Sequence, residues 1–336
     1  MAAGAITTQP AHRETGLRPV HLRRDLGEIA NLIEFCFAPT LDSSGRAAIQ
    51  EMRLLSRSGP LLWALTRVDN TGPSLLKGFV WLEAGRLVGN VSISPAGYGG
   101  GWVIANVAVH PDFRRHGIAR HLMQAALEWV RARGQFATLQ VEANNDAARA
   151  LYDTLGFRAQ RTFTRWRRAS FYAQPAPGPA VPLRKLRSDE LPALLALARR
   201  ARPDSAGGLG WLRPTRVESL RPSRLGGLGW LISGKRVSLW GAPAAENGAL
   251  DAAVIIETRA GCSAALFDLL VDPARQSAGL EPGLVRHVIG AFAGAHQPLV
   301  TEHPADDEAA AEHLRANYFR PERTLVHMIW PADAPQ

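Results

Sequence analysis

The chain has 336 residues, of which 46% are hydrophobic, and its net charge at neutral pH is +9. Its length predicts two domains, and no apolar run reaches the roughly 18 residues that a membrane span requires. The two cysteines, Cys36 and Cys262, exclude a disulfide framework and a paired-cysteine metal site, so we expect a cytoplasmic protein with no membrane partner. The basic charge favours anionic partners, but the aromatic-basic platform of a nucleic-acid binder is missing, which argues against nucleic acid.

The N-terminal part of the chain is predicted to form a short strand and two helices after an irregular start. Residues 1–16 contain no long apolar segment of the kind that a secretory signal needs, so we expect a loose tail. Leu17–Leu22 is predicted to be a strand, and Asp25 is the candidate N-cap of the helix that follows it. Ser43–Ser56 has the pattern of a second helix, which Gly59-Pro60 ends.

A hairpin and a buried strand are predicted next. Gly78–Glu83 and Arg86–Ser94 have the composition of strands, and they flank the turn residues Ala84-Gly85. Trp102–Val109 is apolar and rich in β-branched residues, which predicts a strand buried on both faces. His110-Pro111-Asp112 ends this strand, because proline cannot continue a hydrogen-bonded ladder.

The residues after that strand have the pattern of an anion-binding helix start. Apolar residues recur at helical spacing and predict one buried face, formed by Ile118, Leu122, Ala125 or Ala126, Trp129 and Val130. The first N–H groups of a helix lack intrahelical partners and carry partial positive charge. Gly117 would let a diphosphate approach the backbone closely, and Arg114 and Arg115 add charge.

A strand, a helix and another strand are predicted to follow. Ala137–Val141 has the composition of a buried strand. Asn144 or Asn145 can cap a helix from Asp146 to Leu155, because asparagine accepts hydrogen bonds from the first N–H groups of a helix. Thr162–Arg168 alternates between apolar and polar residues in the manner of a strand.

The second half of the chain repeats the first at one constant offset. This offset places Val109-His110-Pro111 on Val271-Asp272-Pro273, Gly117 on Gly279, and Phe157-Arg158 on Phe319-Arg320. Between the halves lie residues 174–182, QPAPGPAVP, whose composition predicts a stiff exposed linker. We therefore expect a tandem pair of related domains, residues 17–173 (the first copy) and residues 183–333 (the second copy).

Two motifs resemble the signatures of the GNAT superfamily of N-acetyltransferases. Arg114-x-x-Gly117-x-Ala119 after a Val-x-Pro turn is similar to that family's acyl-CoA loop, and NDAARALYDTLGF, from Asn145 to Phe157, resembles its second signature. The resemblance implies an α/β (α+β) fold of two GNAT-like domains, each with a mixed, mostly antiparallel central sheet flanked by helices. It also implies acetyl-CoA as co-substrate, a primary amine as acceptor and no metal.

The resemblance also implies which residues form the site. In the family, the last residues of the strand before the loop bind the pantetheine arm and the thioester oxygen through backbone groups, which corresponds to Val107, Ala108 and Val109. The loop residues that would hold the diphosphate are Arg114, Arg115, His116, Gly117, Ile118, Ala119 and Arg120. Tyr152 matches a tyrosine near the CoA sulfur and is the expected general acid, with packing as its alternative role. Asn145 either contacts the cofactor or only caps its helix.

The general base is not identified by the sequence. Many family members carry a glutamate on the strand before the loop, and Asn106 takes that position here. Asparagine cannot accept a proton, but it can hold a water molecule. Asn106 is therefore a candidate catalytic residue that would position a water. Glu83, Glu142 and His110 are candidate bases, and a chain of waters that carries the amine proton to solvent is the alternative.

The second copy departs from the family pattern at the residues that carry the chemistry. Glu281 replaces Ala119, Leu314 replaces Tyr152 and Tyr318 replaces Gly156, whereas Gln276 in place of Arg114 is a replacement that the family pattern allows. A carboxylate near a diphosphate is unfavourable, and leucine cannot donate a proton. We expect a degenerate copy that supports the fold and shapes the acceptor cleft.

Two other patterns in the second half imitate binding sites. Residues 229–236, GWLISGKR, resemble a nucleotide-binding P-loop, but Arg236 replaces the serine or threonine that would bind Mg²⁺, so a turn between strands is expected. A second group could suggest a metal site and consists of His303, Asp306, Asp307 and His313. Residues 304–308, however, have the pattern of an acidic helix start, which is the expected role of this segment. The segment GGLGWL occurs at 207–212 and again at 226–231, and nothing in the sequence explains it.

These patterns together predict an N-acetyltransferase that moves an acetyl group from acetyl-CoA to a primary amine by direct attack, with Tyr152 as general acid to the CoA thiolate. The alternative is a non-catalytic acyl-CoA-binding or regulatory protein, which Asn106 and the degenerate second copy favour. A third hypothesis, nucleic-acid binding, depends on charge alone.

Overall fold

A computed structural model of the chain describes residues 14–39, 41, 43–57, 77–96, 101–133, 136–175, 178, 181–203, 235–244, 248–259 and 264–331. Several features of the sequence lie outside these ranges: most of the predicted tail, the P-loop-like residues 229–234, both GGLGWL segments and Cys262. Contacts divide the chain into two compact units. The first unit comprises Met1–Pro95 and Ile104–Arg133, and the second comprises Ala96–Val103 and Gly134–Gln336.

The first unit combines a small sheet with three helices in its described ranges. Its elements are β1 (Gly16–Pro19), α1 (Leu22–Phe37), α2 (Ser43–Arg57), β2 (Lys77–Glu83), β3 (Arg86–Pro95), the greater part of β4 (Trp102–Val109), a 3₁₀ turn (Pro111–Phe113) and α3 (Ile118–Arg131). The strand order is β1-β2-β3-β4. The predicted hairpin is confirmed, and its two turn residues, Ala84 and Gly85, have the positive φ angles that such a turn requires, 48° and 80°.

Asp25 does not cap α1, so that prediction was wrong. The helix begins at Leu22 with His21 as N-cap. The buried carboxylate of Asp25 accepts the N–H of His21 at 2.8 Å and two hydrogen bonds from the Arg18 guanidinium at 2.7 and 2.8 Å. Burial opposes ionisation of this carboxyl group, but the hydrogen bonds outweigh burial and lower its pKa. The pair therefore fastens β1 to the first turn of α1.

Helix α3 lies directly on the backbone of β3. Ile118, Leu122, Ala126 and Val130 are buried as predicted, whereas Trp129 is only half-buried. Met123 and Leu127 are also buried, although they were not predicted. Gly89 of β3 is the point of contact, because a Cβ at this position would lie 2.9 Å from Ile118 and 3.0 Å from Leu122. The absence of a side chain at Gly89 thus fixes the height of the first turn of α3 above the sheet.

The second unit contains a larger mixed sheet and four helices in its described ranges. Its elements are β5 (Phe136–Glu142), α4 (Asp146–Thr154), β6 (Arg158–Arg168), β7 (Arg184–Lys185), α5 (Leu191–Ala201), β8 (Lys235–Pro243), β9 (Leu250–Arg259), β10 (Ala265–Val271), a 3₁₀ helix (Pro273–Ala278), α6 (Glu281–Ala291), β11 (Leu299–Pro304), α7 (Glu308–Ala316) and β12 (Arg320–Pro331). The strand order is β5-β12-β6-β11-β10-β9-β8-β7. None of the helices in the described ranges is long and apolar enough to cross a membrane.

The last strands of the two copies are exchanged within this sheet. Strand β12 pairs antiparallel with β5, with Leu325 opposite Glu142. Strand β6 pairs antiparallel with β11, with Leu299 opposite Arg168. Strands β6 and β12 also pair with each other. Strand β5 of the first copy and its counterpart β11 in the second are therefore each completed by the last strand of the other copy.

The sheet of the second unit is buried on both faces. Along β9 the side chains alternate between two apolar cores, as the two-residue period of a strand requires. Val254 and Ile256 belong to the core under α6, whereas Ala253 and Ile255 belong to the core under α5. This pattern explains the nearly continuous apolar composition of β9.

A buried histidine lies on the exchanged strand β12. The side chain of His327 is fully buried, stacks on Phe163 with ring centroids 4.2 Å apart, and has its Nε2 atom 2.7 Å from the amide nitrogen of Gln140. Burial lowers the pKa of His327 to about 3. An unfolded histidine takes up a proton near pH 6.5. The contribution of neutral His327 to stability is therefore complete above about pH 6.5 and is lost as the pH falls towards 3.

We expect His327→Gln to remove this pH dependence. Between about pH 7 and pH 5, the free energy of unfolding of the native chain should fall more steeply than that of the variant, by up to about 1.4 kcal/mol per pH unit below pH 6.5. Chemical denaturation of both proteins across this range is the measurement. Parallel curves would show that the imidazole is not held neutral by its surroundings.

Candidate functional site

Within the continuous strand β4, the backbone of Asn106 departs from the extended conformation, and we call this residue the break in β4. Its φ of 52° lies in the left-handed region, and a positive φ inside a strand is typical of a bulge that turns the following backbone groups out of the ladder. Neighbours on β3 hold this conformation. The Asn90 amide donates to the Asn106 carbonyl at 2.9 Å, and the Asn106 amide donates to Ser92 Oγ at 3.4 Å. Asn90 and Ser92 were missed by the sequence analysis, although two polar residues at alternate positions of an apolar strand are a usable signal.

The end of β4 is less buried than predicted. Only Ile104 and Ala108 are buried in this strand, and its other residues from Trp102 to Val109, including Val107, are half-buried. The prediction of burial on both faces was therefore wrong. The Val109 carbonyl accepts a hydrogen bond from Arg114 Nε at 3.2 Å and one from the Cys36 thiol at 3.5 Å.

The start of α3 has the geometry of an anion-binding helix terminus. Gly117 is the N-cap, with a left-handed φ of 77°, and Arg115 is also left-handed with a φ of 68°. Arg114, Arg115, His116, Gly117 and Arg120 are exposed, Ala119 is half-buried, and Ile118 is buried in the core. The first N–H groups of the helix therefore open towards solvent beside three exposed guanidinium groups. Strain at a non-glycine residue such as Arg115 is typical of functional loops.

Two candidate bases of the first unit are already engaged. Arg86 Nη2 lies 3.0 Å from His110 Nε2, and Phe35 stacks on the ring with centroids 5.0 Å apart. A guanidinium group only donates hydrogen bonds, so Nε2 of His110 accepts and its lone pair is occupied. Glu83 accepts a hydrogen bond from Trp81 Nε1 at 3.4 Å.

The remaining predicted site residues belong to the second unit. Asn145 caps α4, because its side chain accepts the N–H of Ala148 at 3.1 Å. Tyr152 is buried, its ring centroid lies 5.8 Å from that of Phe157, and burial raises its pKa to about 12. Burial also raises the pKa of Glu142, against the opposing charge of Arg323.

The pKa of Tyr152 limits its chemistry. A phenol with a pKa of about 12 stays protonated at neutral pH and can donate a hydrogen bond. Complete proton transfer to a thiolate with a pKa near 8.5 would be uphill by about 5 kcal/mol. Tyr152 is therefore better suited to hydrogen-bond a leaving thiolate than to protonate it fully.

The acidic residues near the end of β11 are paired within the chain. Asp306 accepts hydrogen bonds from Arg161, the shortest at 2.9 Å, and the Asp307 carboxylate lies 2.8 Å from His303 Nε2. Asp307 is also the N-cap of α7, where it accepts the N–H of Ala310 at 3.1 Å. The expected acidic helix start is thus confirmed.

Part of the chain is similar in sequence to a known enzyme family. Residues 47–157 match the sequence model of the acetyltransferase (GNAT) family. This part of the chain is similar to the GNAT family. The matched residues include Asn106, the start of α3 and Tyr152.

Two relatives of the chain are N-acetyltransferases by name. The chain is 45% identical over 53 residues to the ribosomal protein bS18-alanine N-acetyltransferase of Salmonella typhimurium. This match covers 16% of this chain and 36% of that protein. It is 36% identical over 83 residues to N-alpha-acetyltransferase 30 of Schizosaccharomyces pombe. This second match covers 24% of this chain and 55% of that protein. The chain thus spans about a third to a half of the length of these relatives.

Two solved structures share the fold of the whole chain. One is a tandem GNAT protein from the clavulanic acid biosynthesis pathway, with a TM-score of 0.60, 17% identity, and coverage of 96% of this chain and 100% of that one. The other is a GCN5-related N-acetyltransferase from Sphaerobacter thermophilus, with a TM-score of 0.63, 15% identity, and 98% coverage of both chains. At these identities the likeness shows the fold, and it agrees with the predicted tandem GNAT-like architecture.

The break in β4 gives a prediction about Asn106. Asn106→Ala should lower the free energy of unfolding by about 1–2 kcal/mol, because alanine tolerates a positive φ poorly and loses the bond to Ser92. Asn106→Gly should cost less, since glycine adopts this conformation freely. Denaturant titration of both variants is the measurement, and an equal loss in the two would contradict a backbone origin of the effect.

Proposed function

We propose that the chain is an N-acetyltransferase that moves an acetyl group from acetyl-CoA to a primary amine by direct attack. The start of α3 carries the proposal, because its left-handed Gly117 cap and open N–H groups lie beside exposed arginines at the end of an interrupted strand. A diphosphate is the ligand class that such a helix end binds best. The similarity of residues 47–157 to the GNAT family supports acetyl-CoA as the source of this diphosphate.

The proposed reaction is a single acyl transfer. The amine nitrogen attacks the thioester carbonyl carbon, a C–N bond forms, the C–S bond breaks, and CoA leaves as a thiolate. Backbone N–H donors after the break at Asn106, on Val107 to Val109, would stabilise the oxyanion, a contribution of a few kcal/mol. By family resemblance Tyr152 would donate a hydrogen bond to the thiolate, and its raised pKa keeps it protonated for that role.

The amine must lose a proton, and two routes are consistent with the chain. Asn106 cannot accept a proton, and its amide contacts Ser92, so we assign it to holding the strand break. Glu142 is a candidate base whose pKa burial raises, which suits a base that works near neutral pH. A chain of waters to solvent is the other route.

The acceptor is best sought among N-terminal α-amines. The names of the two relatives describe an alanine N-acetyltransferase acting on a ribosomal protein and an N-alpha-acetyltransferase. We therefore propose peptides with a free N-terminus as the first acceptors to test, ahead of lysine side chains and small amines.

Gly117→Glu tests the cofactor site. The carboxylate would lie where the diphosphate binds, so we expect acetyl-CoA affinity to fall by about 100-fold or more in isothermal titration calorimetry. Gly279→Glu is the matched control, since Gly279 has a similar φ of 67° and takes the corresponding position in the second copy. The two variants share the backbone cost, so similar affinities for both would place the cofactor elsewhere.

Tyr152→Phe tests the chemistry. We expect kcat for thiol release with a peptide amine to fall by about 10- to 100-fold while acetyl-CoA binding is retained, because one hydrogen bond to a charged leaving group is lost. Tyr172→Phe, which removes a hydroxyl group from a tyrosine stacked on Tyr318, is the control and should keep full activity. Acetyl-CoA binding without thiol release for any amine in the native chain would favour the binding-only alternative.

A further inference from the structure

Strands β10 and β11 separate shortly after they begin to pair. They run parallel, with Ala265 opposite Leu299 and Leu266 opposite Val300. Farther along, the guanidinium of Arg202 bridges the two strands. Its Nη2 donates to the Leu269 carbonyl of β10 at 3.0 Å, and its Nη1 donates to the Glu302 carbonyl of β11 at 3.3 Å. An arginine side chain thus fills the opening between the strands.

A buried chain of hydrogen bonds holds the side chain of Arg202 in place. Arg202 Nη2 lies 3.0 Å from His303 Nδ1, and His303 Nε2 lies 2.8 Å from the Asp307 carboxylate. Because a guanidinium group only donates, Nδ1 accepts and the ring proton is on Nε2, from which it is donated to Asp307. Arg202 and His303 are 3% and 4% exposed. A ligand that entered the opening would therefore have to displace hydrogen bonds that are already formed.

The charges around the opening also favour a fixed arginine. Burial lowers the pKa of Arg202 to about 10, and the neighbouring carboxylates Asp268, Asp306 and Asp307 oppose this effect, so the guanidinium stays charged at neutral pH. Glu281, the first residue of α6, is 5% exposed. A diphosphate at this helix start would meet a buried carboxyl group instead of open N–H groups.

The first copy has none of these side chains at the corresponding positions. By the offset of the sequence repeat, the counterparts of Leu269, Glu281, His303 and Asp307 are Val107, Ala119, Val141 and Asn145. Strand β10 also keeps an unbroken register with β9 from Leu266 to Val271, and Asp268, the counterpart of Asn106, lies inside it. The second copy therefore combines an unbroken strand with a filled opening.

We propose that the side chain of Arg202 permanently fills the opening between β10 and β11. It thereby prevents acyl-CoA from binding to the second copy and leaves one acyl-CoA site per chain. The number of acyl-CoA sites, one per chain, rests on the proposed function. The proposal that Arg202 fills the opening does not depend on that function.

The stability of two variants tests the occupant. Arg202→Ala should lower the midpoint of thermal unfolding by about 5 °C or more, because it leaves two strand carbonyls and His303 without their donor. Arg200→Ala in the last turn of α5, the helix whose C-cap is Arg202, is the control. Arg200 is half-exposed and forms an ion pair with Asp272 at 2.7 Å, so its loss should shift the midpoint by about 1 °C or less. Equal small shifts would overturn the role of Arg202.

Titration calorimetry with acetyl-CoA tests the closure. We expect one molecule bound per native chain and none per Gly117→Glu chain. Two molecules per native chain, or one retained by Gly117→Glu, would overturn the closure of the second copy. No binding by the native chain would overturn the proposed function, and the comparison of Arg202→Ala with Arg200→Ala would still decide whether Arg202 fills the opening.

Discussion

Antiparallel pairing of β12 with both β5 and β6 is the constraint on which the second unit depends. Strand β5 precedes α4 and Tyr152, and its partner is the last strand of the second copy. An unpaired β5 would expose a row of backbone donors and acceptors. The second copy can therefore lose the residues of an acyl-CoA site, but it cannot lose β12 without leaving β5 unpaired at this side.

A left-handed glycine precedes two different helix starts. Gly117 is itself the N-cap of α3, whereas Gly279 ends the 3₁₀ helix and α6 begins at Glu281 after Leu280. The chemistry differs in the residues that follow. Ala119 leaves the start of α3 open, whereas Glu281 is buried at the start of α6. We therefore propose that the start of α3 binds an anion, whereas the buried Glu281 makes the start of α6 a structural terminus.

Local signals in the sequence predicted the elements around the site, because glycine permits left-handed turns, asparagine caps helices, and apolar residues recur at the period of a helix. The turn at Ala84-Gly85, the Asn145 cap and the buried face of α3 were predicted in this way. The strand exchange was not predicted, because the last strand of each copy could pair either within its own copy or with the other copy. Local sequence patterns do not distinguish between partners that lie so far apart in the chain. Asp25 was assigned to the wrong role, because its partner Arg18 lies on a strand whose position no local pattern fixes. The positive φ of Asn106 and the burial of Arg202 likewise depend on tertiary neighbours.

The most direct test of the central claim is a crystal structure of the native chain grown with acetyl-CoA. We expect density for one CoA per chain, with its diphosphate on the backbone N–H groups from Gly117 to Arg120 at the start of α3. Density for a diphosphate at the start of α6, or at a place away from both helix starts, would contradict the assignment of the acyl-CoA site.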